Sequence, residues 1–234
     1  MRQATVIGAR TLTPTVRELT IDPGPGFDFE PGQWVSIRIP APQGEDLARS
    51  YSIASAPRSN GSFDLAVTLV EDGPGSGYLH GVPVGTTLTT SRAQGFFTMD
   101  DFERPALMVA TGTGVSPFRS MLQALAAKHQ LLPHPVTLLL GVRSEADLLY
   151  ADEFAAREHS LHGFRFVPSL SRASEAWTGR RGYVQLHVPE LVQRHTHACD
   201  VYVCGLSKMV KEVRGILKTQ LGLGKDRIHT ERYD

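Results

Sequence analysis

The segment Arg49-Ser50-Tyr51-Ser52 places a planar cation, an aromatic ring and small hydroxyls side by side. A guanidinium presents a rigid fork that matches phosphate oxygens. A tyrosine ring stacks on flat heteroaromatic rings, and a serine is small enough to stand beside the edge of such a ring. Together they suit a dinucleotide with a flat ring at one end. An ordinary polar strand would carry the same residues, so the segment alone leaves both readings open. The run Gly73-Pro74-Gly75-Ser76-Gly77 poses the same choice. Opening a helical turn, it would aim unpaired backbone N–H groups at a phosphate, but a plain glycine-rich turn also fits.

A second set of chemically suggestive residues lies further on. Ala110-Thr111-Gly112-Thr113-Gly114-Val115-Ser116-Pro117-Phe118-Arg119 follows an apolar run and opens an amphipathic one. Pro117 suits the first turn of a helix, where its missing N–H costs nothing. A glycine-rich strand-to-helix turn is where a doubly wound sheet binds a pyrophosphate. Pro117 stands where a third glycine of the usual fingerprint would be. Ser171-Arg172 and Arg180-Arg181-Gly182-Tyr183 come just after another apolar run. Hydroxyl, guanidinium and aromatic groups there would suit an adenosine 2′-phosphate, and a solvated loop would look the same. Val201-Tyr202-Val203-Cys204-Gly205-Leu206-Ser207-Lys208-Met209 and the terminal Glu231-Arg232-Tyr233 complete the set. Alone, such a cysteine reads as a small buried hydrophobe and such a terminus as a frayed tail.

These residues need two different scaffolds. In the first hundred residues, Ala4–Arg10, Thr15–Ile21, Gln33–Ile39, Ser50–Ser55, Phe63–Val70 and Thr86–Thr90 are short, β-branched runs between Gly/Pro turns, the pattern of a barrel or sandwich. Strict alternation through Arg49–Ser55 would put Arg49, Tyr51, Ile53 and Ser55 on one face and Ser50, Ser52 and Ala54 on the other. Beyond Phe102–Pro105 the pattern changes. The apolar runs Ala106–Ala110, Val136–Leu140, Phe164–Pro168 and Val201–Cys204 alternate with helical stretches at Ser116–Lys128, Ala151–His159 and Lys208–Leu221. Continuous apolar strands between helices indicate a parallel sheet covered on both faces. The expected architecture is an antiparallel β-barrel over residues 1–102, of Greek-key type, followed by an α/β parallel-sheet nucleotide-binding domain over 103–234.

Composition narrows the function. Lys+Arg and Asp+Glu both number 24, so no global basic field points to nucleic acid or anionic lipid. No run of about 18 apolar residues suggests a membrane span, and MRQATVIGAR lacks the apolar stretch of a secretory signal. Two cysteines, Cys199 and Cys204, are too few for a four-thiolate iron–sulfur cluster or a Cys-only zinc site. The expectation is a cytoplasmic protein without metal; composition leaves the oligomeric state open, with a monomer slightly favoured.

The five motifs together, in this order and across both expected domains, resemble the plant-type ferredoxin–NADP reductase family. Its Arg-x-Tyr-Ser flavin motif is met by Arg49, Tyr51 and Ser52, and its Gly/Cys-x-Ser turn around Ser76. Its Ala-Thr-Gly-Thr-Gly-x-x-Pro-Phe-Arg is met from Ala110 to Arg119, and its Tyr-x-Cys-Gly-Leu-x-x-Met from Tyr202 to Met209. Glu231 and Tyr233 keep the spacing of the family's terminal Glu and aromatic residue, although Asp234 follows where the aromatic is normally last. The resemblance implies an FAD- and NAD(P)H-dependent oxidoreductase. Arg49, Ser50, Tyr51, Ser52, Gly75 and Ser76 would hold FAD. Thr111, Gly112, Thr113, Gly114, Arg143, Ser171, Arg172, Arg181, Tyr183, Cys204, Gly205 and Met209 would hold the nicotinamide dinucleotide. Ser52, Cys204, Glu231 and Tyr233 would surround the point of hydride transfer, with Tyr233 occupying the nicotinamide position until the cofactor displaces it. Ser171, Arg172, Arg181 and Tyr183 keep the order and spacing of a 2′-phosphate site, which favours NADP(H) over NAD(H). Trp177-Thr178-Gly179 also resembles NADH-using reductases of oxygenase systems. The implied partner is a separate ferredoxin or flavodoxin. The alternatives are an NADH-dependent reductase component of an oxygenase, or a flavoprotein subunit that works only inside a larger complex.

Overall fold

The computed structural model describes residues 1–40, 45–99, 103–195 and 198–233. These fall into two compact units: Met1–Thr98 with Ser116–Ala124, and Met99–Val115 with Leu125–Asp234. The expected boundary after residue 102 falls at Phe102, and the departure noted at Asp234 falls on that residue; both lie outside the described residues.

The first unit is built from β1 (Arg2–Thr13), β2 (Val16–Asp22), β3 (Trp34–Ile39), β4 (Leu47–Ser52), β5 (Phe63–Thr68), α1 (Pro74–Gly81) and β6 (Thr87–Thr90). Its strands pair antiparallel in the order β4-β3-β6-β1-β2-β5. A bridge between Ile53 and Leu65 joins the two edges and closes the sheet into a barrel. Closure removes the exposed edge that an open sheet would carry. Val6, Leu19, Ile21, Val35, Ile37, Ile53, Phe63 and Leu65 are buried in its core. The bridge also explains where alternation stops. Ser52 is the last residue of β4, and Ile53, Ala54 and Ser55 are all fully buried instead of alternating. Ile53 N–H turns to the Gln33 carbonyl and Ala54 N–H to the Asp64 carbonyl.

The second unit holds β7 (Ala106–Thr111), the latter part of α2 (Ser116–Lys128), β8 (Leu131–Val142), α3 (Ala151–Ser160), β9 (His162–Leu170), β10 (Arg180–Arg181), α4 (Val188–Arg194), β11 (Asp200–Leu206), α5 (Ser207–Gly215) and β12 (Ile228–Tyr233). Its sheet is wholly parallel, in the order β10-β9-β8-β7-β11-β12. Ala106–Ala110, Leu138–Leu140, Val201 and Val203 are fully buried, as strands covered on both faces must be. The sheet grows one way from β7 to β10 and the other way through β11 and β12. The reversal beside β7 is the topological switch point at which such sheets bind ligands, outside the carboxyl ends of the strands.

Three elements lie beyond the sequence expectations. β10 has only two residues, and α4 is one short helix opened by Pro189. The terminus does not fray: Ile228–Tyr233 pair with Val201–Leu206 in register. Among the described residues no helix is long and apolar enough to cross a membrane.

Candidate functional site

In the barrel unit, the expected flavin residues lie on β4 and at the start of α1. β4 is held to β3, with Arg49 opposite Ile37, Tyr51 opposite Val35 and Ser52 opposite Trp34. Arg49 and Ser50 are exposed, Tyr51 is half-buried and Ser52 is buried. Burial raises the Tyr51 phenol above its ordinary value, and the nearby Arg49 charge opposes that rise. Gly75 brings the two motifs together. A Cβ there would lie 2.9 Å from Cγ of Arg49, so the arginine stem packs over the first turn of α1 because no side chain intervenes. Pro74 begins this helix and lacks an N–H, leaving the N–H groups of Gly75 and Ser76 without helical partners. An exposed guanidinium beside unpaired helix N–H groups fits a pyrophosphate.

The Ser76 hydroxyl has local work. Its Oγ accepts from Val70 N–H at 3.0 Å and lies 3.1 Å from the Gly73 carbonyl, so it shapes the loop that presents α1. At the other end of the helix, Arg17 donates to the carbonyls of Leu79 and His80. A cation at a helix C-terminus complements its dipole.

In the sheet unit, the expected nucleotide residues all stand at the carboxyl edge. Gly112–Val115 is a tight turn between β7 and α2. A Cβ on Gly114 would lie 2.7 Å from the carbonyl carbon of Cys204 and 2.8 Å from Cα of Gly205. A Cβ on Gly205 would meet the Thr111 hydroxyl and would lie 2.9 Å from Cε of Met209. The two glycine-bearing turns thus close on each other at the switch point. Thr111 Oγ1 is buried there without a hydrogen-bond partner among the described residues. Buried hydroxyls are normally paired, so an orphaned one fits a polar ligand that supplies its partner.

Cys204 lies opposite Glu231 in the β11–β12 register, and its Sγ is 3.9 Å from Glu231 Oε1. Burial holds the thiol well above its ordinary value, and the Glu231 charge adds to that, while a hydrogen bond with Tyr233 opposes it. Cys204 is therefore a neutral thiol, since the thiolate that a nucleophile requires is disfavoured. Cys204, Glu231 and Tyr233 form one connected group.

The ends of β8 and β9 carry the expected 2′-phosphate residues. Ser171 N–H donates to the Val142 carbonyl at 3.0 Å and Arg172 N–H to the Arg143 carbonyl at 2.7 Å, which ties Arg143 and Arg172 together. Both side chains are exposed, and neither has an ion-pair partner among the described residues. Arg181 is arranged differently. Its guanidinium donates to the carbonyls of Ala173, Ser174, Glu175 and Trp177, at 3.3, 2.7, 3.3 and 2.8 Å. The Glu145 carboxylate accepts from Ser174 N–H at 3.1 Å and Oγ at 2.5 Å, and this bonding holds its pKa below the ordinary value. Arg181 and Glu145 together shape the loop that follows Arg172. Tyr183 projects with 68% of its surface exposed, available for stacking on an adenine ring.

Several functional groups carry no motif. Glu145 and Arg17 look like surface charges in sequence. Arg119 does close a motif, the one from Ala110, and a helical plot flags it further: a guanidinium among Phe118, Met121 and Leu122, it is only 6% exposed. It meets Glu18 and Asp64, which are also buried. Burial alone would raise the Asp64 carboxyl, but hydrogen bonding and charge from Arg58, with Thr20 and Arg119, outweigh it and leave the group below its ordinary value. A carboxylate depressed on folding contributes stability above the unfolded value of about 3.9 and loses it as pH falls through the folded value. The Tm difference between the wild type and Asp64→Asn is therefore expected to hold steady from pH 7 down to about 5 and then to narrow as pH falls below about 3.9 toward the folded value. A difference that stays constant in calorimetric scans across that range would remove the linkage.

Comparison with known proteins agrees with this geometry. Residues 10–99 match the oxidoreductase FAD-binding domain family and residues 108–215 the oxidoreductase NAD-binding domain family. The chain is 45% identical to the ferredoxin–NADP reductase B of Sorangium cellulosum, over 99% of this chain and 97% of that protein. It is 32% identical to the anthranilate 1,2-dioxygenase electron transfer component of Acinetobacter baylyi, over 88% of this chain but only 59% of that relative. The flavohem-like FAD/NAD-binding domain of a nitric oxide dioxygenase from Vibrio cholerae shares the fold at a TM-score of 0.86 and 26% identity, covering 99% of this chain and 98% of that one. With its barrel, its parallel sheet and near full-length similarity to such a reductase, the chain belongs to the ferredoxin–NADP reductase family.

Proposed function

We propose that the protein is an NADPH-dependent flavoprotein reductase that exchanges hydride between NADPH and FAD and single electrons between FAD and a separate ferredoxin or flavodoxin. The observation that carries the NADP(H) preference is the pair Arg143 and Arg172. The pair is tied through its backbone at the carboxyl edge, with both guanidinium groups exposed and without ion-pair partners among the described residues. Arg–phosphate pairing is charge-assisted and geometrically specific.

Bound FAD would supply the step from two-electron to one-electron chemistry, and the residues supply binding and orientation. Arg49 with the Gly75 and Ser76 N–H groups would hold its pyrophosphate. Tyr51 would cover its ring, and Ser52 would stand at the ring's reacting edge. Gly112–Gly114 and the orphaned Thr111 hydroxyl would receive the nicotinamide dinucleotide. Arg181 would keep the loop beyond Arg172 in shape, and Tyr183 would stack on the adenine. Cys204, a neutral thiol beside Glu231, would pack against the nicotinamide, and Tyr233 would cover that position until the nucleotide arrives.

The test is an anaerobic titration of the purified yellow protein, first with NADPH and then with NADH. Bleaching of the visible flavin band at far lower NADPH than NADH is expected. Equal or better bleaching by NADH would replace this reading with an NADH-dependent oxygenase reductase component, the role named for the Acinetobacter relative. A protein that binds no FAD would remove both.

A basic cleft on the protein suits an acidic partner. Lys208, Lys211, Arg214 and Arg232, with Ser207 and Thr230, line a cleft of about 380 Å³ between α5 and β12. An acidic electron carrier would be steered to it, and screening grows as the Debye length shrinks from about 10 Å at 0.1 M salt to about 3 Å at 1 M. The second-order rate of carrier reduction is therefore expected to fall with added salt, and Lys211→Glu should flatten that dependence. A rate indifferent to salt would exclude this cleft as the docking surface.

A further inference from the structure

Three polar side chains of α2 catch three successive residues of the main chain. Arg119 Nη1 donates to the Ala54 carbonyl at 2.8 Å, and Ser120 Oγ donates to the Ser55 carbonyl at 2.6 Å. Gln123 Oε1 accepts from Ala56 N–H at 3.0 Å. The caught segment follows directly on Tyr51, Ser52 and Ile53. Its other side is held as well, since Ala54 N–H donates to the Asp64 carbonyl at 2.8 Å and Ser55 Oγ accepts from Asp64 N–H at 3.0 Å.

The distances around Arg119 show what the buried charges do. Arg119 Nη1 is 3.5 Å from Glu18 and 3.2 Å from Asp64. Each carboxylate has a shorter partner of its own: Arg10 lies 2.6 Å from Glu18, and Arg58 donates twice to Asp64 at 3.0 and 2.6 Å. The carboxylates are thus neutralised without Arg119. At 2.8 Å the bond from Arg119 to the neutral Ala54 carbonyl is shorter than its distance to either carboxylate. A buried guanidinium needs opposite charge nearby to be tolerated; here two carboxylates provide it and leave the donor aimed at Ala54.

We propose that Arg119 is a positioning residue for Tyr51 and Ser52, acting through the Ala54–Ala56 backbone with Ser120 and Gln123. This rests on the reading of Tyr51 and Ser52 as flavin contacts. It makes the first half of α2 a functional part of the flavin site, although none of its side chains need touch the ring. Small displacements of a reacting geometry, on the order of 1 Å, are enough to slow a transfer by about a hundredfold.

The experiment compares Arg119→Met, Arg119→Lys and the double variant Ser120→Ala/Gln123→Ala as FAD-loaded proteins, with Ser52→Ala as the reference. The readouts are the visible flavin spectrum and the rate of flavin reduction at saturating NADPH. Arg119→Met is expected to shift the flavin band and slow reduction by about tenfold while KM for NADPH changes by less than about twofold. Arg119→Lys should recover most of the rate, and the double variant should move both readouts the same way. If Arg119→Met does not fold, the double variant decides: an unshifted spectrum with an unchanged rate overturns the proposal. So does an Arg119→Met protein that loses only thermal stability. If Ser52→Ala slows reduction while the α2 variants do not, positioning fails and the flavin reading stands. If Ser52→Ala also leaves spectrum and rate unchanged, both fail.

Discussion

With Arg143 and Arg172 both changed to alanine, kcat/KM for NADPH is expected to fall by roughly two to four orders of magnitude. Each lost charge-assisted hydrogen bond is worth about 1.5–3 kcal/mol, and every ~1.4 kcal/mol is about tenfold. NADH has no 2′-phosphate, so its kcat/KM should change by less than about threefold. The contrast matters more than the size of the fall. Arg172 N–H bonds the Arg143 carbonyl through its backbone, so truncating the side chains leaves that link in place. Arg181→Ala should behave differently. It removes the donor that gathers four carbonyls between Ala173 and Trp177, and both nucleotides should suffer as the loop loosens. Steady-state kinetics with the two nucleotides separates the cases. Equal losses on NADPH and NADH in the double variant would assign the pair to structure instead of phosphate recognition.

Gly114→Ala is expected to damage both stability and nucleotide use. The new Cβ would press on the Cys204 carbonyl and Gly205 Cα, which are main-chain atoms and cannot rotate away. Overpacking of this kind costs about 1–3 kcal/mol. For a chain of this size about 2–4 °C of Tm is lost per kcal/mol, giving a fall of roughly 2–12 °C. Because the strain falls between the nucleotide turn and the Cys204 turn, kcat/KM for NADPH and NADH should drop together, by at least about tenfold. Differential scanning calorimetry and the same kinetics check it. An unchanged Tm with unchanged kinetics would show that the two turns do not meet as described.

Much of this architecture could be read in advance because it depends on period and punctuation. The barrel strands are short and bounded by Gly and Pro, and α2 spans the expected Ser116–Lys128 because its apolar period and Pro117 mark the start. Positions that depend on contacts distant in sequence were not legible. Alternation could not foresee that barrel closure at Ile53 and Leu65 buries three consecutive residues. The tail looked frayed because nothing local stabilises Ile228–Tyr233; its partner is β11, more than twenty residues earlier. Arg181 is a nearer case: it keeps a phosphate-binding spacing, and residue type says nothing about the loop carbonyls four to eight residues earlier that fall within its reach. Arg119 is one letter of a motif, yet its partners Glu18 and Asp64 lie far back in the chain and carry no motif of their own.

The membership of α2 has a practical consequence for anyone who would take the molecule apart. Residues 116–124 pack with the barrel although the chain has already passed through β7 to reach them. A genetic cut between Thr98 and Val115 would sever the barrel from its own helix. It would leave the main chain at Ala54–Ala56 without three of its hydrogen-bond partners and expose the surface that Phe118 and Met121 cover. A chimera that exchanges flavin modules between reductases must therefore carry residues 116–124 along with the first 98, as a discontinuous cassette. Grafts joined at a single point would be expected to express as aggregates.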